Sequence, residues 1–94
     1  MEIRWAPAAE IDRAQIFRHI EAENPDAAIQ MDELFIKAVS RLQHFPFMGR
    51  RGVITNTREI IPHENYRIVY QIEEQTVSIL TIIHTARRWP PNDK

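Results

Sequence analysis

Between Ala27 and Phe45 apolar residues recur at three- and four-residue steps, whereas from Tyr66 to Ile72 they recur at every second residue. The first spacing marks one face of a helix and the second one face of a strand. A chain that switches period in this way segregates its helices from its strands, so the expected fold class is α+β. Its 94 residues suit one domain spanning 1–94.

The remaining elements follow from local signals. In residues 2–6, Ile3 and Trp5 alternate with Arg4, which predicts a short first strand. Pro7 suits the first turn of a helix, where its missing N–H costs nothing. That helix is expected to run to about Glu23, with Ala9, Ile16, Phe17 and Ile20 as its apolar stripe. Arg13 falls inside the stripe. It can lay its methylenes over the core and keep its head in water, or aim at a partner.

Asn24-Pro25-Asp26 ends one helix and starts the next: Asn24 can cap, Pro25 can hold the first position, and Asp26 complements the dipole. The second stripe reads Ala27, Ala28, Met31, Leu34, Phe35, Ala38, Val39, Leu42 and Phe45, and Pro46 marks its end. A link this short makes the two helices an antiparallel hairpin. Residues 46–56 hold both glycines and read as a loop. Strands are expected over Thr57–Ile61, Tyr66–Glu73 and Thr76–His84, broken by Pro62-His63-Glu64-Asn65 and by the tight link Glu74-Gln75. Tyr66, Ile68, Tyr70 and Ile72 share one side of their strand; Arg67, Val69, Gln71 and Glu73 share the other. The order is β-αα-βββ, an antiparallel sheet with the helical hairpin on one face and the first strand at its edge.

Composition narrows the function classes. Hydrophobic residues are 44% and charged residues 27%, a globular balance. There is no cysteine, and His19, His44, His63 and His84 lie in different elements without ligand spacing, so no metal site and no cofactor are expected. No apolar run approaches the ~20 residues that cross a bilayer, and the start, Met1-Glu2-Ile3-Arg4-Trp5-Ala6-Pro7, lacks a leader pattern. The expectation is a cytoplasmic protein without a membrane partner. Net charge is −1, but residues 1–40 carry −4 and residues 41–94 carry +3, nearly all of the positive charge as arginine. Two faces with different partners would account for this, as would a solvated surface with chance clustering.

The chemistry-bearing set is Arg50, Arg51, Arg58, Arg67, Arg87 and Arg88, with His84 beside the last pair. Guanidinium groups on the sheet face away from the helices could converge on phosphates, and a histidine near them could move a proton. Equally, they could pair with Glu59, Glu64, Glu73 or Glu74. Ile29 and Ile36 lie opposite the core stripe of the second helix, and Ile11 and Ala14 lie off that of the first. They are either scattered surface residues or a contact for a partner.

Thr57-Arg58-Glu59-Ile60, Tyr66-Arg67-Ile68-Val69-Tyr70 and His84-Thr85-Ala86-Arg87-Arg88-Trp89-Pro90 resemble the RelE/ParE toxin superfamily, as do Asn24-Pro25-Asp26-Ala27-Ala28 and Pro46 followed by Gly49-Arg50. The resemblance covers nearly the whole chain in order. It implies a toxin of a type II toxin–antitoxin system, neutralised by a cognate antitoxin. RelE-like members cut mRNA on the ribosome; ParE-like members inhibit DNA gyrase. On the RelE-like alternative, with ribosome and mRNA as partners, Arg58, Arg67, His84 and Arg87 are the catalytic candidates. The chain lacks the tyrosine that RelE-like toxins often carry after the last arginine, and its net charge of −1 differs from their strongly basic character. The His-x-x-Arg-x-Trp-Pro ending is similar to the ParE-like branch. On that reading Arg67, Arg87, Arg88 and Trp89 form the toxic face toward gyrase. Trp89 could instead simply cap the sheet end. Ile11, Ile29, Ile36, Arg50 and Arg51 are the antitoxin-binding candidates.

Overall fold

The computed structural model describes residues 1–90. Its elements are β1 (Glu2–Trp5), α1 (Pro7–Glu21), α2 (Pro25–Leu42), β2 (Arg50–Arg51), β3 (Arg58–His63), β4 (Tyr66–Glu73) and β5 (Thr76–His84). Both helices start on a proline, and Asn24 caps α2 by accepting from the Ala27 N–H at 3.1 Å. α2 buries Phe35, Val39 and Leu42 against the sheet, and Ala28 is buried in its first turn. Two members of its expected stripe depart from the core. Leu34 is 39% exposed, because it precedes Phe35 by one helical step; Phe45, 64% exposed, lies beyond the end of the helix.

The five strands are ordered β1-β5-β4-β3-β2. β3, β4 and β5 pair antiparallel, as expected, and β2 also pairs antiparallel with β3, but β1 runs parallel to β5 and makes the sheet mixed. The reversals in the helical hairpin and the meander leave β1 and β5 pointing the same way. β3 continues to His63, past the end expected at Ile61, because a register shift between Ile60 and His63 absorbs Pro62, which has no N–H for the ladder. Arg50 and Arg51, expected in a loop, pair with Glu59 and Arg58 as the edge strand.

Phe35, Val39 and Leu42 meet Ile60, Tyr66, Ile68, Tyr70, Val77 and Ile79 in one cluster between helices and sheet. Fully burying a side chain of this size contributes about 1.5–3 kcal/mol. The hairpin is also joined by charge. The Arg13 head is shared between water and a partner: with 32% of its side chain exposed, it donates to both oxygens of Asp32, at 2.7 and 2.8 Å, and its guanidinium lies 5.2 Å from the Trp5 ring centroid. The Asp32 hydrogen bond raises the Arg13 pKa further, burial opposing it. Among the described residues no helix is long and apolar enough to cross a membrane.

Candidate functional site

Tyr70 is fully buried beneath α2, so its hydroxyl requires partners. It finds them in the chain after α2: it donates to the Pro46 carbonyl at 2.7 Å and accepts from the Gly49 N–H at 3.0 Å. Arg58, the cross-strand neighbour of Tyr70, donates to the carbonyls of Phe47 and Gly49 at 3.2 and 2.7 Å and lies over the Phe47 ring. Burial pushes the Tyr70 phenol up; the Gly49 N–H and the Arg58 charge partly offset that. A Cβ at Gly49 would stand 2.6 Å from the Tyr70 hydroxyl, and one at Gly52 would run into the Thr57 hydroxyl. Only glycine permits these two approaches. Residues 46–57 are thus pinned to the sheet, yet Phe47, Met48, Val53 and Ile54 point outward, 40–69% exposed.

The sheet face away from the helices is also partly covered. Val69 is wholly buried there, and Glu59, Ser78 and Ile83 nearly so. The Glu59 carboxylate, with 2% of its side chain exposed, receives Arg67 at 3.2 Å and Arg50 at 3.4 Å. Its Oε2, the Arg67 Nε and the Trp89 Nε1 are buried without a hydrogen-bond partner among the described residues. Two arginines therefore converge on an internal counter-ion. Trp89 is half-buried with its polar atom out of solvent, whereas Arg87 and Arg88 are exposed.

At the far end of β5, His84 pairs across the ladder with Tyr66 and sets its ring 5.2 Å from the Tyr66 centroid. It therefore lies on the helix side of the sheet. Its Nδ1 accepts from the Ala86 N–H at 3.0 Å, so the neutral ring carries its proton on Nε2. His84 and Arg87 line a groove of about 700 Å³ with Asp12, His19, Met31 and Tyr66. The Asp12 carboxylate is committed there, accepting from the Thr81 hydroxyl and the Ile82 N–H.

The four residues named for RNA cleavage thus occupy three separate places. Arg58 holds the loop at the β2 end, Arg67 sits on the opposite face beside Glu59, and His84 and Arg87 share the groove at the other end. Of the other candidates, Arg50 joins Arg67 at Glu59, and Arg51 is exposed on the edge strand. Ile11, Ile29 and Ile36 are 57%, 49% and 40% exposed on the hairpin. Sequence reasoning missed the outward apolar residues of the loop and took Phe45 for core. The available signal was a run from Arg41 to Arg58 that contains four arginines and no carboxylate.

Comparison with known proteins matches residues 3–89 to the ParE toxin family of the parDE type II toxin–antitoxin system. The protein Y4kP of Sinorhizobium fredii is 37% identical over 89 residues, covering 94% of this chain and 92% of its own. A chromosomal ParDE toxin–antitoxin system of P. aeruginosa superposes with a TM-score of 0.80 at 19% identity, over 89% of this chain and 95% of that one. The isolated E. coli RelE toxin superposes at 0.67 with 13% identity, over 94% and 87%. The two solved structures share the fold, and the match over nearly the full sequence makes the chain a member of the ParE toxin family of type II toxin–antitoxin systems.

Proposed function

We propose that this ParE-family toxin acts by binding rather than by cutting RNA, that its target is DNA gyrase, and that a cognate antitoxin neutralises it in the cytoplasm. One observation carries the choice. Arg67, the arginine that nuclease chemistry needs at the centre of the sheet, is paired with buried Glu59, while His84 and Arg87 lie on the other side of the sheet. An arginine already neutralised by a buried carboxylate is a poor ligand for a scissile phosphate. Proton transfer also requires hydrogen-bond reach, which residues on opposite faces lack.

Arg87 and Arg88 are the exposed part of the proposed toxic face and Trp89 its half-buried part, whereas Arg67, paired with Glu59, lies on the sheet face opposite to Arg87. The antitoxin is assigned to Ile11, Ile29 and Ile36 on the hairpin, with its acidic residues reaching Arg50 and Arg51. Supercoiling by purified gyrase is the test: micromolar toxin should inhibit it. No inhibition, alongside mRNA cuts in a translating extract that vanish in Arg67→Ala, would replace this reading with the ribosome-dependent nuclease.

A further inference from the structure

The end of the molecule built by residues 41–58 combines three properties rarely found together. It is apolar outside: Phe45, Phe47, Met48 and Val53 are 49–69% exposed. It is positive, with Arg41, Arg50, Arg51 and Arg58 and no Asp or Glu in the whole run. It is also held in shape, by Tyr70 and Arg58 bonding to Pro46, Phe47 and Gly49, and by the Thr57 hydroxyl donating to the Ile54 carbonyl at 2.6 Å. A loop that merely linked α2 to β3 would gain stability by turning these side chains inward. This one spends buried hydrogen bonds on keeping its backbone fixed while the side chains face water. Rigid aromatic and arginine anchors presented in advance are what a tight protein interface uses, because little ordering entropy remains to be lost.

Building on the target-binding reading, we infer that this surface is a second contact with the toxin's protein target, at the other end of the molecule from Arg87 and Arg88, and that it fits an acidic-rimmed apolar cleft. Charge complementarity selects the acidic rim: among the described residues Arg41 and Arg51 pair with no carboxylate, so both remain for a partner's Asp or Glu. The aliphatic share of the surface selects a cleft over nucleic acid. Met48, Val53 and Ile54 offer nothing for a base to stack on, and of the two exposed rings Phe47 is already under Arg58, which leaves Phe45 alone for stacking. Arg58 is committed to two carbonyls and Arg50 leans on Glu59, which leaves too few free guanidinium groups to track a phosphate backbone. Because Arg50 and Arg51 form the edge strand beside this surface, an antitoxin reaching them would cover its rim.

The test uses the full chain in two variants, Phe45→Ser/Val53→Ser and Arg41→Glu, whose substituted side chains are exposed. Growth arrest in cells lacking antitoxin, inhibition of purified gyrase, affinity for the protein of the adjoining reading frame, melting temperature, and anisotropy of labelled DNA and RNA oligonucleotides are measured. Each variant should lose about tenfold or more in growth arrest and in gyrase inhibition. The melting temperature should hold, and the Phe45→Ser/Val53→Ser variant should keep its affinity for the antitoxin. Unchanged growth arrest in both variants would overturn the inference. So would lost antitoxin affinity with retained growth arrest, which would give the surface to the antitoxin, or oligonucleotide binding that both variants abolish. Should wild-type toxin arrest growth without inhibiting gyrase, the gyrase reading fails, while a loss of arrest in the variants still upholds the surface with another protein target.

Discussion

The helical hairpin and the β2 end of the sheet both show apolar side chains to water, but they hold them in different ways. On the hairpin, Ile11, Ile29 and Ile36 project from helices whose backbone hydrogen bonds are internal. Their display depends on no tertiary contact except helix packing and the Arg13–Asp32 pair. At the β2 end the backbone is irregular, and its shape is borrowed from Tyr70, Arg58 and Glu59 on the neighbouring strands. A surface carried by a helix resists loss of a distant atom, whereas a surface carried by a pinned loop fails with its pins. The charge differs as well: the half of the chain containing the hairpin is acidic and the half containing the loop is basic.

The largest effect expected is at Glu59. Glu59→Ala leaves Arg67, with 18% of its side chain exposed, short of its counter-ion, and should cost about 3–5 kcal/mol in urea unfolding. A loss well under that would mean that water already serves the pair, and the loop end would then be no more fragile than the hairpin.

Next comes Tyr70. Tyr70→Phe strands the Gly49 N–H and should cost about 1–3 kcal/mol, with faster amide exchange at Gly49 than at any residue of α2. The pH dependence has a definite sign. The folded-state pKa lies above the ordinary 10.0, so the fold favours the neutral phenol. Its contribution is complete below pH 10 and is lost as pH rises through the folded value. Wild-type stability should therefore decline above pH 10 more steeply than that of Tyr70→Phe. Parallel declines would dissociate the phenol from the loop's stability.

The smallest stability effect is predicted on the hairpin. Ile29→Asp/Ile36→Asp should change unfolding free energy by only about 1 kcal/mol, chiefly helix propensity. Its affinity for the antitoxin, by titration calorimetry, should nevertheless fall markedly. Unchanged affinity would remove these isoleucines from the antitoxin site and leave them as scattered surface residues.

Helix and strand were legible in the sequence because periodicity is a property of neighbouring residues. The stripe through Phe35, Val39 and Leu42, the Asn24 cap and the alternation that buries Tyr66, Ile68 and Tyr70 each depend on a few adjacent positions. The same local signal put Arg67 on the face away from the helices, and it allowed for Glu59 as an arginine partner. What it could not supply was register. Glu59 meets Arg67 and Arg50 because β3 lies between β4 and β2 with Glu59 opposite both Val69 and Arg50, a pairing set across three strands. The parallel placement of β1, the separation of His84 from Arg67 and the pinning of the loop by Tyr70 are likewise decided by residues far apart in the chain. The sequence alone determined the two helices and the three long strands, and the faces of most of their apolar residues, but not the edge strand at Arg50–Arg51 or the side taken by His84, which follows the register shift between β4 and β5. Only the tertiary structure decided which charges meet and which apolar residues stay in water, because those outcomes depend on non-local pairing that no short window of sequence contains.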